Sequence, residues 1–311
     1  MMRVKASAGN DDIARVFIAE TDDGKMLEFV ESVQPPIPRE KKWVLIISTL
    51  YGCPGGCRFC DAGTHYEGKV PASVMMEQID HLVRRRYPDG RVPAEKFKVQ
   101  LARMGEPAFN DEVLDVLEQL PSAYDAPGLI PAISTIAPEG REAFFERLLK
   151  IRDRLYPERF QLQFSIHTTD LEKRDWLVPV KKWDFARIAA YGEKFYREGG
   201  RKITLNFALA EGMPIDPAIL LEHFSPEKFF IKMTPVNPTC SAGETGLASH
   251  IVPGNDRYPV IEDLEKAGYE VLLSIGELEE NHIGSNCGQY IGKYLADGNL
   301  EEGYNYKINE A

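Results

Sequence analysis

The run "WVLIISTLYGCPGGCRFC", residues 43–60, joins two signals. Its first part, to Gly52, is apolar and rich in β-branched residues, the composition of a buried strand. Its second part sets Cys53, Cys57 and Cys60 close together, with Gly55 and Gly56 between the first two. The stretch therefore predicts a strand that runs straight into a cysteine loop. Glycines there let the backbone wrap closely around a bulky centre. Three ligands are an awkward number, because a structural zinc or an ordinary iron–sulfur cluster takes four. The chain holds 5 cysteines, the others being Cys240 and Cys287. In a reducing compartment, an odd set with one tight cluster points to metal binding or catalysis rather than disulfides.

Working outward, similar apolar runs recur at 96–105, 130–136, 159–167, 202–212 and 229–238. Between them lie segments with helical apolar spacing. One follows Ser73 (Val74, Met75, Ile79, Leu82, Val83). Another follows Asn110, a good N-cap, with Val113, Leu114, Leu117 and Leu120 on one face. Others run through Phe144–Ile151, 184–198 and 217–224. Strands alternating with helices imply right-handed βαβ units and a parallel sheet. The count is too small for a full eight-stranded barrel, so the expected fold is α/β, a partial (β/α)6 TIM-like barrel. Ligands in such folds sit at the C-terminal ends of the strands. That rim would carry the cysteines, "MGEP" (104–107), "STIAP" (134–138), "SIHTTD" (165–170) and "TPVNP" (234–238).

Two additions flank this core. Residues 14–40 read as a β-hairpin turning at Asp23-Gly24. After about residue 250 come a helix (258–267), a strand (269–275) and a short C-terminal helix. The expected division is an N-terminal hairpin extension (1–40), the core (41–250) and a C-terminal extension (251–311) carrying Cys287.

The net charge of −11 argues against a broad phosphate-binding surface, which needs clustered Lys and Arg. The basic stretch "RDWLVPVKKW" (174–183) reads as a solvated helix end. No apolar run reaches the roughly 18 residues of a membrane span, and the first residues hold no apolar block of a secretory signal. A cytoplasmic protein is expected.

Three thiolates on a [4Fe–4S] cube leave one iron open, and an open position is what separates a catalytic metal from a structural one. A zinc site with His65 as fourth ligand is the alternative. The C-x3-C-x2-C spacing, with Phe59 before the last cysteine, resembles the radical SAM superfamily. The resemblance implies a [4Fe–4S] cluster on Cys53, Cys57 and Cys60, with S-adenosyl-L-methionine (SAM) at the open iron. Reduced flavodoxin or ferredoxin is the expected electron donor.

Further segments narrow the resemblance. "MGEPAFN" (104–110), "ISTIAP" (133–138), "FSIHTTDLEKRDWLVP" (164–179), "KMTPVNP" (232–238) and "SNCGQY" (285–290) are similar, in order, to motifs of the RlmN/Cfr-type adenosine carbon methyltransferases. "DDGKMLEFVESV" (22–33) is similar to the hairpin of that family. The resemblance implies that Gly105 and Glu106 bind the methionyl amino end of SAM. It implies that Ser134, Ser165 and Asn237 contact its carboxylate, ribose or adenine. It makes Cys287 the methyl-carrying cysteine and Glu31 an acidic hairpin residue near the substrate. His167 reads as a packed, hydrogen-bonded histidine. A thiolate is a far better nucleophile toward a sulfonium methyl than an sp2 ring carbon, which gives Cys287 its logic.

The match departs at one informative place. The family breaks its covalent enzyme–substrate adduct with a cysteine seven residues before the first cluster cysteine, and here that position is Ile46. Cys240, in the loop after the sixth core strand, is a candidate replacement thiol. An external thiol, another fragmentation, or no methyl transfer at all are the alternatives. The family's helical N-terminal RNA-holding domain has no counterpart before the hairpin. With the acidic charge, this favours a small aromatic or heteroaromatic substrate, or a peptide, over RNA. The rivals are an RNA methyltransferase and a radical SAM enzyme that abstracts hydrogen directly from its substrate.

Overall fold

The computed structural model describes residues 1–250, 257–275, 280, 283–285 and 291. The chain opens with three antiparallel strands, β1 (Met2–Gly9), β2 (Ala14–Thr21) and β3 (Met26–Ser32). The β2–β3 turn closes over Asp23-Gly24, with Gly24 in the left-handed region at φ 81°. That is the hairpin expected from the sequence. Strand β1 has no apolar signature, because most of its residues are exposed or half-buried.

The core follows as β4 (Lys42–Ile47), a short ribbon of β5 (Leu50–Gly52) with β6 (Tyr66–Lys69), and α1 (Ala72–Arg86). Next come β7 (Lys96–Leu101), α2 (Glu112–Ala123), β8 (Leu129–Thr135), α3 (Glu142–Leu155) and β9 (Gln161–Ser165). Then follow α4 (Leu171–Leu177), α5 (Phe185–Phe195), β10 (Ile203–Leu209), α6 (Pro217–His223) and β11 (Phe229–Pro235). The chain continues through α7 (Cys240–Thr245), α8 (Pro259–Lys266) and β12 (Val271–Leu273). The main sheet has the order β1-β2-β3-β4-β7-β8-β9-β10-β11-β12, and β4 to β12 are all parallel. The six expected core strands are β4, β7, β8, β9, β10 and β11, adjacent and in chain order. Among the described residues β1 and β12 do not pair, so the sheet is open. No helix there is long and apolar enough to cross a membrane.

Alternation along each strand separates two faces. Leu45, Val99, Phe164, Leu205 and Ile231 are fully buried on the helix-covered face. The other face carries, in register, Ile46 beside Gln100, Ser134 beside Gln163, and Ser165 beside Asn206 and Lys232. A purely structural parallel strand would be apolar on both faces. Polar side chains on this one mark an inner face built to meet polar groups. Helix boundaries follow local chemistry: Asp184 accepts from the Arg187 N–H at 2.8 Å and starts α5. Asn110 has a larger task than the expected cap. Its Oδ1 accepts from the Glu112 N–H, while its amide donates to the carbonyls of Thr49 and Val70 at 2.8 and 2.7 Å. It thus ties the start of α2 to the residues that flank the β5–β6 ribbon.

Candidate active site

The cysteine loop leaves β5 at the C-terminal rim of the sheet. The Cys53 N–H donates to the His65 carbonyl at 3.1 Å and closes the base of the loop. Gly52 is required there: its φ is 82°, and a Cβ would lie 1.5 Å from the His65 carbonyl oxygen. At the tip, a Cβ on Gly55 would lie 3.3 Å from Cys53 Sγ and 3.9 Å from Cys57 Sγ. Two of the three thiols therefore converge on one small residue. Burial pushes the Cys53 thiol above its ordinary pKa and Cys57 up to about 12, with Glu106 and, for Cys57, the neighbouring Cys53 adding to the rise. Buried thiols of this kind hold their protons until a cationic centre displaces them.

Among the described residues no three His, Cys, Asp or Glu side chains are grouped tightly enough for one metal ion. His65 stands away from such a role, exposed and 3.3 Å from Glu67. The zinc alternative finds no fourth ligand in it. Three thiols with no fourth protein ligand among the described residues fit a four-iron cube with one open iron, whereas a structural zinc takes four protein ligands. Phe59 packs at the loop, edge-on to His167 with their ring centres 4.9 Å apart.

His167 is indeed packed and hydrogen-bonded. Its Nδ1 accepts from the Ala208 N–H at 3.1 Å, and burial, with the nearby Arg174 charge, lowers its pKa to about 3. A neutral imidazole that accepts at Nδ1 carries its proton on Nε2.

The Gly105-Glu106 turn faces the loop from the end of β7. Gly105 has φ 97°, and a Cβ there would meet Leu50 Cγ at 2.4 Å. Glu106 is buried and accepts from three donors of its own chain: the Ala108 N–H at 3.0 Å, the Ile136 N–H at 2.9 Å and the Thr135 hydroxyl. A carboxylate offers about four lone-pair sites, so one remains for a ligand. Burial outweighs these bonds and raises its pKa to about 7. Ser134 Oγ, on the inner face, accepts from Gln163 at 2.8 Å and from Gln100 at 3.4 Å. Ser165 pairs in register with Asn206. Asn237 is half-buried, and its carbonyl accepts from Thr239 as the chain turns into α7.

Helix α7 clamps the cysteine loop from the far side of the rim. Thr239 Oγ1 donates to the Phe59 carbonyl at 2.9 Å, and Thr245 Oγ1 to the Arg58 carbonyl at 3.0 Å. Asp61, buried beside Cys60, accepts from the N–H groups of Cys240 at 3.3 Å and Ser241 at 2.9 Å, and from the Ser241 hydroxyl at 2.8 Å. Cys240 is thus next to the loop but exposed, and its thiol is raised by partial burial and then by Asp61. Asp61, Thr239 and Ser241 are site residues that carry no sequence signal, since a loop Asp and a Thr-Cys-Ser run look like ordinary caps.

Glu31 is not at the mouth. In β3 it points to the helix-covered side, where Arg86 of α1 grips it at 2.8 and 3.1 Å and Trp43 Nε1 donates to it at 3.3 Å. Arg85 pairs with it as well. It is a structural ion pair. The acidic residue on the inner face is Glu28, fully buried and 2.8 Å from Arg103 Nη2. Ile46, in register with Val30 and Gln100, occupies the inner face, so the missing cysteine would have faced the mouth. Cys287 lies outside the described residues, as does the expected C-terminal helix. A cleft of about 420 Å³ lined by Tyr124, Pro127, Tyr156 and Arg159 sits at the N-terminal ends of β8 and β9, the wrong end for this chemistry.

Comparison with known proteins agrees with this geometry. The chain is 26% identical to a probable dual-specificity RNA methyltransferase RlmN of Thermus thermophilus, over 86% of this chain and 71% of that protein. It is 29% identical to one of Prochlorococcus marinus, over 65% of this chain and 56% of that one. A radical SAM methyltransferase of Sphaerobacter thermophilus superposes with a TM-score of 0.66 at 20% identity, covering 93% of this chain and 80% of that chain. No family model matches the chain. The chain is thus similar, in sequence and in fold, to RlmN-type radical SAM methyltransferases. It is an enzyme of methyltransferase type, and the family implies SAM and a [4Fe–4S] cluster.

Proposed function

We propose that this enzyme delivers a one-carbon unit to an sp2 carbon of adenosine in RNA, using Cys287 as the methyl carrier. The observation that carries the radical SAM part is the convergence of Cys53 and Cys57 on Gly55, beside a buried Glu106 with one acceptor site left. When bound, the cluster and SAM supply a 5′-deoxyadenosyl radical and a transferable methyl group. Cys53, Cys57 and Cys60 hold the cluster. Glu106 accepts a proton-bearing nitrogen of the methionyl end, and the left-handed Gly105 brings backbone to it without a side chain in the way. Ser134, Ser165 and Asn237 line the remaining polar contacts. Asp61 and α7 keep the loop closed against water. Reduced flavodoxin or ferredoxin is the proposed electron source.

The RNA assignment leans on the relatives, which are named for RNA methylation. A second reading, a small aromatic or heteroaromatic substrate, is favoured by Ile46 and by the net charge of −11. In either reading a thiol other than residue 46 must release the adduct, and Cys240, at the cysteine loop, is the proposed one. The test is mass spectrometry of the Cys287 peptide after anaerobic incubation with SAM and reductant, with RNA binding measured as salt is raised. A methyl on Cys287 and an RNA affinity falling steeply with salt support the first reading. A methylated Cys287 without RNA affinity supports the second. An unmodified Cys287 while deoxyadenosine accumulates defeats the methyl-carrier role.

A further inference from the structure

Arg103 lies two residues beyond the end of β7 and two before Gly105. Its side chain is almost wholly buried, as is that of Glu28, its partner at 2.8 Å. The guanidinium then reaches the C-terminal extension. Nη1 donates to the Ser285 carbonyl at 2.9 Å and Nη2 to the Gly284 carbonyl at 2.8 Å. The same short segment is pinned on its apolar side, where Ile283 packs so closely that a Cβ on Gly9 would lie 2.7 Å from its Cγ2. The Ser285 N–H in turn donates to the Glu280 carbonyl at 3.1 Å.

We propose that Arg103 is a positioning residue that fixes the 283–285 segment, two residues before Cys287, to the mouth of the sheet, with Glu28 as its counter-charge. The inference rests on the reading of Cys287 as methyl carrier only for its consequence, not for the contacts. The geometry suits arginine in particular. A planar fork donates in parallel to two successive carbonyls while keeping a carboxylate in reach, and an ammonium cannot reproduce that arrangement. The clamp is also joined to the cofactor turn. Ser48 Oγ donates to the Glu28 carbonyl and accepts from the Met104 N–H at 3.2 Å. Hairpin, SAM turn and C-terminal segment are thereby held as one unit. A thiol that must meet a SAM methyl in line, and later a substrate carbon, needs its backbone fixed to within a fraction of an ångström.

The test uses the full chain with its cluster, comparing wild type with Arg103→Met, Arg103→Lys and Glu28→Gln. Hydrogen exchange is followed by mass spectrometry, and methyl transfer from SAM to Cys287 is timed separately. Arg103→Met should speed exchange in peptides covering 283–285 at least tenfold, with peptides of β8 and β9 unchanged. Arg103→Lys and Glu28→Gln should speed it less. Cys287 methylation should slow at least tenfold in Arg103→Met, with the SAM concentration for half-maximal rate within threefold of wild type. Exchange at 283–285 within twofold of wild type in all three variants would overturn the clamp. If Arg103→Met fails to fold, the Lys and Gln variants decide in the same way. Loosened exchange with an unchanged methylation rate would overturn the positioning role. A wild type that never methylates Cys287 would defeat the proposed function instead, while the exchange data still judge the clamp.

Discussion

If Glu106 receives the methionyl end of SAM as proposed, the affinity for SAM should follow its titration. Its carboxyl is buried and raised to about 7, chiefly by desolvation. A methionyl N–H donated to the carboxylate stabilises its ionised form, so binding competes with protonation. The sign is fixed by which form binds. Below the free-enzyme pKa the carboxyl must lose a proton before SAM can pair with it, and affinity rises with pH. At pH 6 about one-tenth of Glu106 is ionised and at pH 8 about nine-tenths, so affinity should rise roughly tenfold between them, about 1.4 kcal/mol. The assay is calorimetric titration of SAM into the cluster-loaded enzyme, run in two buffers of different ionisation enthalpy to count protons. Near pH 6, close to one proton should leave per SAM bound. Glu106→Gln should bind more weakly and lose the rise between pH 6 and 8. A flat affinity from pH 6 to 8, or a rising limb that survives in Glu106→Gln, would refute the reasoning.

Three other perturbations follow from the same geometry. Gly55→Ala puts a methyl 3.3 Å from Cys53 Sγ, and iron and sulfide bound per chain after reconstitution should fall at least twofold while the thermal midpoint of the cluster-free protein is unchanged. Gly105→Ala forces a side chain into φ 97° and into Leu50, and should cost about 1–3 kcal/mol in denaturant unfolding. Asp61→Ala removes the acceptor of three donors that tether α7, so hydrogen exchange in 239–245 should rise while that of α5 does not.

Most of the frame was legible in the sequence because period and position carry it. Six apolar runs became six adjacent parallel strands, and the cysteines lie at their C-terminal rim as the topology requires. The second layer was not legible, for a physical reason. Asp61, Thr239 and Ser241 act across 180 residues of chain, and nothing local distinguishes an acid that ties down a distant helix from one that caps its own turn. Strand β1 escaped notice because an edge strand with a wet face lacks an apolar pattern.

The hairpin acid shows how such a reading slips. Along β3 the side chains alternate, so Glu28 and Glu31, three residues apart, must face opposite sides of the sheet. A choice between them is a choice between the mouth and the helix layer. The helix layer supplies Arg85 and Arg86, and any carboxylate turned that way is consumed by them. The inner face supplies Arg103, which also donates to the backbone of the C-terminal extension. The two acids therefore do different work under one composition. Glu31 anchors α1 to the sheet, and Glu28 completes a buried pair beside the Gly105-Glu106 turn. Ile46 shares that inner face, in register with Val30 of the same hairpin strand. Its replacement of a thiol thus alters the wall of the reaction chamber itself. Whatever releases the product must reach in from the rim, where Cys240 lies at the edge of the cysteine loop. Ile46→Cys would restore a thiol to the inner face. Faster product release in that variant would mean that the native route is slow because it comes from the rim. Unchanged release would mean that release does not pass through that wall at all.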